Sequence, residues 1–475
     1  MSIFVDKLKG LSVLFNSWII QRVTIFLFIT SATILFYLLN NVQRNYYIDE
    51  AFHIPQTQKY CSGNFFEWDK KITTLPGLYL LSAGLLAPLK QCNTISLRGI
   101  NLILTILNLY VTYKIVKGKS WSKNIKQSSS WLPLAVAFSI ALLPPLFFWF
   151  FLYYTDVLST NLVLLMFLLH QNEFYKSSAI IGGLSILVRQ TNIIWIFMIA
   201  GERAISLIEL QTPRSIETLV SRGMHTGPQH AKLVWANVMH HVKQGKVVRF
   251  FIEMIKDLSC HVAVAIAFIL FVIFNKGIVV GDRNAHTPVI HLPQLFYFSV
   301  FFGSFAWPYV LPNWKNYFTI IKKHWIIASS LFALMTIIVH NNTLVHPYVL
   351  ADNRHYVFYI WNKIMGRYLL VKYLLIPIYG FFMYSLFVLL KNLKFLTKLF
   401  IIFCICVVLV PQLLLEPRYF VIPYIIVRLN MPQPKLWQII AELMTCLIVN
   451  FLQFYIFVTK TFYWTDGEGP QRISW

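Results

Sequence analysis

Apolar stretches, most of about 20 residues, recur from one end of the chain to the other, and most are long enough to cross the hydrocarbon core of a bilayer as a helix. They lie at 23–40, 77–89, 97–115, 131–151, 157–170, 178–200, 258–275, 294–312, 324–340, 369–390, 397–415 and 436–459. Twelve such segments predict an all-α, polytopic membrane protein read as one membrane domain, 1–475. A transmembrane barrel would alternate apolar and polar residues in strands of about 10. Composition agrees: 57% of residues are hydrophobic and 12% charged, where soluble chains carry about 25% charged. Mean hydropathy is +0.62. No internal repeat is evident.

Charge placement sets orientation. The formal net charge of +23 would point to nucleic acid in a soluble chain. Here the lysines and arginines fall in short loops between apolar runs, where they face the cytosol and anionic headgroups. Membrane lipid is therefore an expected partner, and nucleic acid is not. Lys7, Lys9 and Arg22 place the N-terminus inside; without a clear cleavage site before it, the run 23–39 is expected to stay as a signal anchor. Arg203, Arg214, Arg222, Lys232, Lys243, Lys246, Arg249 and Lys256 make 201–257 a cytosolic loop. Lys315, Lys322 and Lys323, then Lys391 and Lys394, mark two further inside loops. The outside segments become 41–76, 276–293, 341–367 and 416–435, and the sequon Asn341-Asn342-Thr343 falls on one of them.

Strict alternation would put Lys117, Lys119, Lys123 and Lys126 outside, against this bias. The favoured arrangement lets 77–115 cross once in net terms and makes 178–200 a broken, re-entrant pair. The break is expected at Arg189-Gln190-Thr191-Asn192, and Tyr153-Tyr154-Thr155-Asp156 moves outside. The six cysteines (Cys61, Cys92, Cys260, Cys404, Cys406, Cys446) lie mostly in or beside apolar runs and show no paired spacing. Neither a disulfide framework nor a zinc site is expected.

In a chain with only 18 Asp plus Glu, two adjacent carboxylates stand at the mouth of the first outside loop, Asp49 and Glu50. Ionisable groups at a membrane are costly and mark function. Read as a helix, this stretch puts His53 one turn from both acids, and a carboxylate beside a cation stays ionised, ready to accept a proton. The two acids are candidate catalytic groups; the bland alternative is an interfacial helix facing water. Downstream, Thr73 and Thr74 offer hydroxyls to a polar ligand. Asp352-Asn353-Arg354-His355 and Glu416-Pro417-Arg418 follow on later outside loops, and Gly281-Asp282-Arg283-Asn284-Ala285-His286, with His291, shares that side. Arginine suits a phosphate because its planar fork binds two oxygens at once; snorkelling at the interface is the alternative for Arg354 and Arg418. No Walker loop, dinucleotide fingerprint or zinc motif is present, so no cofactor and no metal are expected. A transporter with Asp156 and Arg189 lining a pathway is the rival from another class.

Several of these stretches resemble one family. Tyr47-Ile48-Asp49-Glu50-Ala51-Phe52-His53-Ile54-Pro55-Gln56, Trp68-Asp69, and Ile72-Thr73-Thr74-Leu75-Pro76-Gly77-Leu78-Tyr79 look like the first luminal loop of the dolichyl-phosphate-glucose-dependent α-1,2-glucosyltransferases of the endoplasmic reticulum. The stretches at 151–156, 187–192, 350–356 and 416–420 follow in the same order. The resemblance implies a GT-C-type glycosyltransferase, multi-pass in the endoplasmic reticulum membrane, with a luminal active site. It implies dolichyl phosphate glucose as donor and a diglucosylated oligosaccharide on dolichyl diphosphate as acceptor. The transfer would invert configuration and add the terminal glucose needed for N-glycosylation. It makes Asp49 the base, with Glu50 as neighbour or substitute. His53, Gln56, Thr73, Thr74, Asp352, Arg354, His355, Glu416 and Arg418 become the candidate substrate contacts. A dolichyl-phosphate-mannose-dependent enzyme is the runner-up within this class.

Overall fold

The computed structural model describes residues 18–119, 131–210, 226–283, 287–465 and 469–475. Lys7, Lys9, Lys123, Lys126, Arg214, Arg222 and the Asn284–His286 part of the fourth polar group lie outside the described residues. The fold is helical, with one small antiparallel hairpin, Thr461–Tyr463 against Pro470–Arg472. Among the described residues five helices are long and apolar enough to cross a membrane, or seven if two bent pairs each count as one span. Several predicted runs come out shorter or broken, each for a local reason. Asn93 caps the helix Thr94–Lys117 by accepting from the Ser96 amide, which separates it from Gly77–Leu86. The run 131–151 breaks before Pro144-Pro145. The run 178–200 breaks where expected: a helix ends at Ile186, a 3-10 turn covers Gln190–Asn192, and the next helix starts at Ile193.

Hydrogen bonds show which loops share an end of the bundle. The Gly77 amide donates to the Leu187 carbonyl at 2.7 Å, and the Gln190 side chain and the Val280 amide donate to the Thr73 carbonyl. The Tyr153 amide meets Glu50, and the His291 amide meets the Val410 carbonyl. The first loop, 153–156, 187–190, 280, 291 and 410 therefore gather at one end. At the other end Gln171 bonds the Ile115 carbonyl, Lys119 bonds Asn430, and Lys394 pairs with Glu209. This places 153–156 with the first loop and Lys117 opposite, as the net single crossing of 77–115 requires. Two helices turn sharply off their spans near that opposite end. Val247–Asp257 is bent by 80° from Ser259–Asn275, and Trp307–Lys323 by 91° from Pro293–Phe305.

Two fully buried ion pairs brace the bundle. Arg98 meets Glu50 at 2.5 Å, and Arg428 meets Glu442 at 2.8 Å with the Tyr309 hydroxyl on the same carboxylate. Removing one partner of such a pair costs about 3–5 kcal/mol, because a charge is left buried and unmatched. The cysteine expectation needs one correction: Cys61 and Cys92 form a disulfide, tying the end of helix Glu50–Cys61 to the start of Thr94–Lys117. They are the two cysteines outside the long apolar helices, and a single bridge across 31 residues leaves no spacing pattern to read.

Candidate functional site

The site starts at a strained turn. Ile48 has φ +47°, a left-handed conformation that costs a β-branched residue on the order of 1–3 kcal/mol. Immediately after it the helix Glu50–Cys61 begins, with the Glu50 amide bonded to the Tyr47 carbonyl. The two carboxylates leave this turn toward different partners. Glu50 points inward and is wholly buried. It receives Nε and Nη2 of Arg98 at 2.8 and 2.5 Å, and the amides of Tyr47 and Tyr153 at 2.9 and 2.7 Å. Arg98 spends its remaining donors on Asn40, Gln43 and Asn45. Every strong hydrogen-bonding direction of this pair is used within the protein.

Asp49 faces the other way, with about a quarter of its side chain exposed. Its Oδ2 accepts from Nη1 of Arg418 at 2.5 Å, and Nε of the same arginine pairs with Glu416. The Tyr154 hydroxyl accepts from its amide. Burial alone would raise the Asp49 carboxyl, but the Arg418 guanidinium and the histidine beside it win and hold it near 2. His53 lies one helical turn on, as the spacing predicts, and shares a 2.6 Å hydrogen bond with the Tyr79 hydroxyl. Burial lowers its pKa to about 4 despite Asp49, so arginine rather than imidazolium supplies the positive charge at neutral pH.

The remaining predicted residues divide into those that hold the loop and those that surround the acid. Gln56 is buried and clamps the loop, donating to the Glu67 carbonyl at 2.6 Å and accepting from the Asp69 amide at 2.9 Å. Thr73 gives its carbonyl to Gln190, and Thr74 sits by the Tyr79 hydroxyl. Gly77 is needed because a Cβ there would lie 2.6 Å from the Leu187 carbonyl oxygen. Asp352 and Arg354 form a two-point pair, at 2.9 and 2.7 Å, and His355 stands 3.7 Å from the same carboxylate. Arg283 turns away to cap Asn275 at a helix end, so it shares the end of the bundle without joining Asp49.

Three parts of this arrangement were not anticipated. Arg98 is hidden inside an apolar run; the signal for it is a charged residue near the start of a membrane helix. The Asp156–Arg189 pair, at 3.0 Å, lies next to Arg418 instead of lining a separate pathway: Tyr419 is flanked by both arginines, with Cζ–centroid distances of 6.0 and 5.7 Å. The described residues 461–465 and 469–475 fold back onto the site. Ser474 accepts from the Tyr47 hydroxyl at 2.7 Å, its amide donates to the Arg354 carbonyl, and its carbonyl accepts from the Tyr356 amide. Trp464 donates to Asn353 and stacks under Arg354, and His355 Nδ1 reaches the main-chain oxygen of Trp475. No sequence motif marks this segment. Among the described residues no three His, Cys, Asp or Glu side chains gather as a metal-holding group.

The profile of the DIE2/ALG10 family matches residues 43–429. A rat protein named Dol-P-Glc:Glc(2)Man(9)GlcNAc(2)-PP-Dol alpha-1,2-glucosyltransferase is 36% identical over 93% of this chain and 96% of its own length. Proteins of the same name from Drosophila melanogaster and Arabidopsis thaliana are 35% and 29% identical, each over 92% of this chain and 96% of their own. No solved structure matches the chain.

Proposed function

The chain belongs to the DIE2/ALG10 family, and we propose that Asp49 is the base through which it works. It is a glycosyltransferase of lipid-linked oligosaccharide assembly, moving glucose from Dol-P-Glc to Glc(2)Man(9)GlcNAc(2)-PP-Dol in α-1,2 linkage. The donor linkage is β, so the reaction inverts in a single displacement. Asp49 takes the proton of the acceptor's 2-hydroxyl as that oxygen bonds to the anomeric carbon. The bond from the anomeric carbon to phosphate oxygen breaks, and its electrons leave on dolichyl phosphate, which passes from monoanion to dianion. A phosphate leaving group is weakly basic and needs no general acid, so one carboxylate suffices. Positive charge on the sugar ring is met by that carboxylate.

Arg418 has two roles in this scheme. Against Asp49 it holds the carboxyl near 2 and makes it a weak base. A donor phosphate that takes over the guanidinium fork frees Asp49 and returns its basicity, so the base is switched on by the donor. The observation that carries the assignment is the 2.5 Å contact of Asp49 with Arg418 on the accessible side of the turn, while Glu50 is enclosed by Arg98. Glu50 then positions the turn, and Gln56 holds the loop. Asp352, Arg354 and His355 with 461–475, together with His53, Thr73 and Thr74, shape the space for the sugars.

In this reading the five to seven long spans and the three shorter apolar helices belong to a twelve-segment GT-C-type bundle in the endoplasmic reticulum membrane. The loops 41–76 and 341–367 are luminal in this reading, and 201–257 is cytosolic. Two features support the luminal assignment. The disulfide Cys61–Cys92 lies at the site end and suits an oxidising compartment, and Asn341 of the sequon is exposed at the same end. The test is transfer by purified protein from dolichyl phosphate glucose to the diglucosylated acceptor, with the anomeric configuration of the new bond read by α- and β-glucosidases. An α-linked product is expected; a β-linked product would remove the single displacement.

A further inference from the structure

We propose that Arg189 is the second phosphate ligand of this site and that, with Arg418, it receives the charge that develops on the leaving dolichyl phosphate. The inference rests on the glucosyl-transfer reading above and adds a residue to it. Its starting point is electrostatic. The departing lipid gains a full negative charge, and Arg418 already serves two carboxylates, Asp49 and Glu416. One guanidinium shared among two acids and a dianion leaves the transition state short of positive charge.

A second guanidinium stands beside the first. Arg189 lies on the break between helices Tyr175–Ile186 and Ile193–Leu210, where non-helical backbone at the edge of the membrane faces a cavity. That cavity, about 60 Å³, is lined by Arg189 and Arg418, with Tyr419 between them, and by the hydroxyls of Thr160 and Thr191. Its lining of guanidinium and hydroxyl side chains suits phosphate oxygens. Trp195 and Ile422 give it an apolar wall, the kind of surface that the first isoprene of a polyprenyl chain needs.

Arg189 is also held as a preorganised ligand is held. Its Nη2 donates to Asp156 at 3.0 Å and its Nε to the Thr155 hydroxyl at 3.4 Å. Among the described residues no hydrogen bond uses Nη1 of Arg189 or Nη2 of Arg418. Arg189 is fixed along one edge and Arg418 at Nε and Nη1, and each keeps a terminal NH₂ for a ligand. The Asp156 carboxylate neutralises Arg189 until the phosphate arrives, and the Tyr419 ring spaces the two cations, whose mutual repulsion a phosphate dianion relieves.

Two kinds of phosphate enter this enzyme, the donor's monophosphate and the acceptor's diphosphate. The acceptor's diphosphate is separated from the reacting glucose by the length of the oligosaccharide. Arg418 touches Asp49, so the phosphate beside it is the donor's. The variants are Arg189→Ala and Arg189→Lys, assayed next to the unaltered enzyme with donor and acceptor varied separately. Removing one preorganised donor of this kind lowers kcat about 100-fold. For Arg189→Ala we expect that loss, a donor KM raised at least several-fold, and an unchanged acceptor KM. Arg189→Lys should recover part of kcat, since it restores charge without the fork. Inhibition by dolichyl phosphate should weaken in the alanine variant in parallel. A raised acceptor KM with an unmoved donor KM would assign Arg189 to the acceptor and overturn the proposal. So would unchanged kcat, donor KM and product inhibition. If Arg189→Ala does not fold, Arg189→Lys carries the test: wild-type donor KM and product inhibition in it, with wild-type kcat, overturn the clamp. Failure of the unaltered enzyme to transfer glucose would instead count against the glucosyl-transfer reading itself.

Discussion

Asp49 and Glu50 are joined by one peptide bond, and the strained Ile48 turn sends them into opposite environments. Around Glu50 the protein supplies everything: a buried arginine in two-point contact, two backbone amides, and a second tier of carbonyls and an amide on that arginine. Around Asp49 it supplies one arginine, which is itself shared and open to competition from a ligand. The first pair is closed to substrate and joins the end of helix Trp18–Val42, the loop, helix Thr94–Lys117 and residue 153 into one rigid corner. The second can exchange partners. Two carboxylates of the same charge thus meet a closed and an open environment, and under the proposed mechanism they serve structure and chemistry; the difference lies in whether the paired arginine has anything left to give.

The contrast is sharpest in a pair of isosteric variants. Asp49→Asn should lower kcat by about 10³- to 10⁴-fold, the upper range for loss of a general base, while its thermal midpoint falls less than that of Glu50→Gln. Glu50→Gln should do the reverse: the buried Arg98 is left without its countercharge, at a cost of about 3–5 kcal/mol. Thermal unfolding in detergent reads that loss, and molecules that stay folded should retain transfer. If Glu50→Gln were fully stable and inactive, the two roles would have to be exchanged.

The pH dependence separates the same two groups in a smaller range. His53 is held neutral, with a folded pKa of about 4 against about 6.5 unfolded. The unfolded chain therefore binds more protons between those values, and stability falls as pH drops from 6.5 to 4, by on the order of 3 kcal/mol. Asp49, lowered to about 2, contributes stability that is full above its ordinary value near 4 and is lost only as pH falls from 4 toward 2. Melting temperatures measured from pH 7 to pH 4 should decline in the parent and decline less in His53→Gln. An identical slope in both would remove His53 as the cause.

The smallest effect concerns the segment that borders both sides. Ser474→Ala removes the nearer of two acceptors of the Tyr47 hydroxyl, next to the Ile48 turn, and should cost about 1 kcal/mol. A few-fold loss of transfer should accompany it, more in acceptor KM than in donor KM. An unchanged acceptor KM would show that residues 461–475 only cover the site.

Much of this was legible from the chain. Hydropathy reports bilayer thickness, so the apolar runs and the interruption at 189–192 could be read directly, and the one-turn spacing of Asp49 and His53 follows from helix geometry. What the sequence hid were partners. Arg98 is 48 residues from Glu50 and Arg418 is 369 from Asp49, and local periodicity carries no information about which distant cation meets which acid. The same is true of Cys61 with Cys92. Helix lengths were overread for a related reason: composition sets the run, whereas caps and prolines such as Asn93 and Pro144 end the helix inside it. The tail was missed because its work is done by backbone and by small side chains such as Ser474, which no motif distinguishes.

That tail has a consequence in time. Ser474 and Tyr47 are separated by 427 residues. At a ribosomal pace of about 5–20 residues per second, the first loop waits roughly 20 to 90 seconds for the residue that fastens it. During that interval the nascent chain carries Asp49 without the segment that closes the face beside it. Maturation of the loop therefore waits on residues made 427 positions later, and a product interrupted before Ser474 should be silent toward the sugar donor even with helix Leu436–Thr459 already inserted.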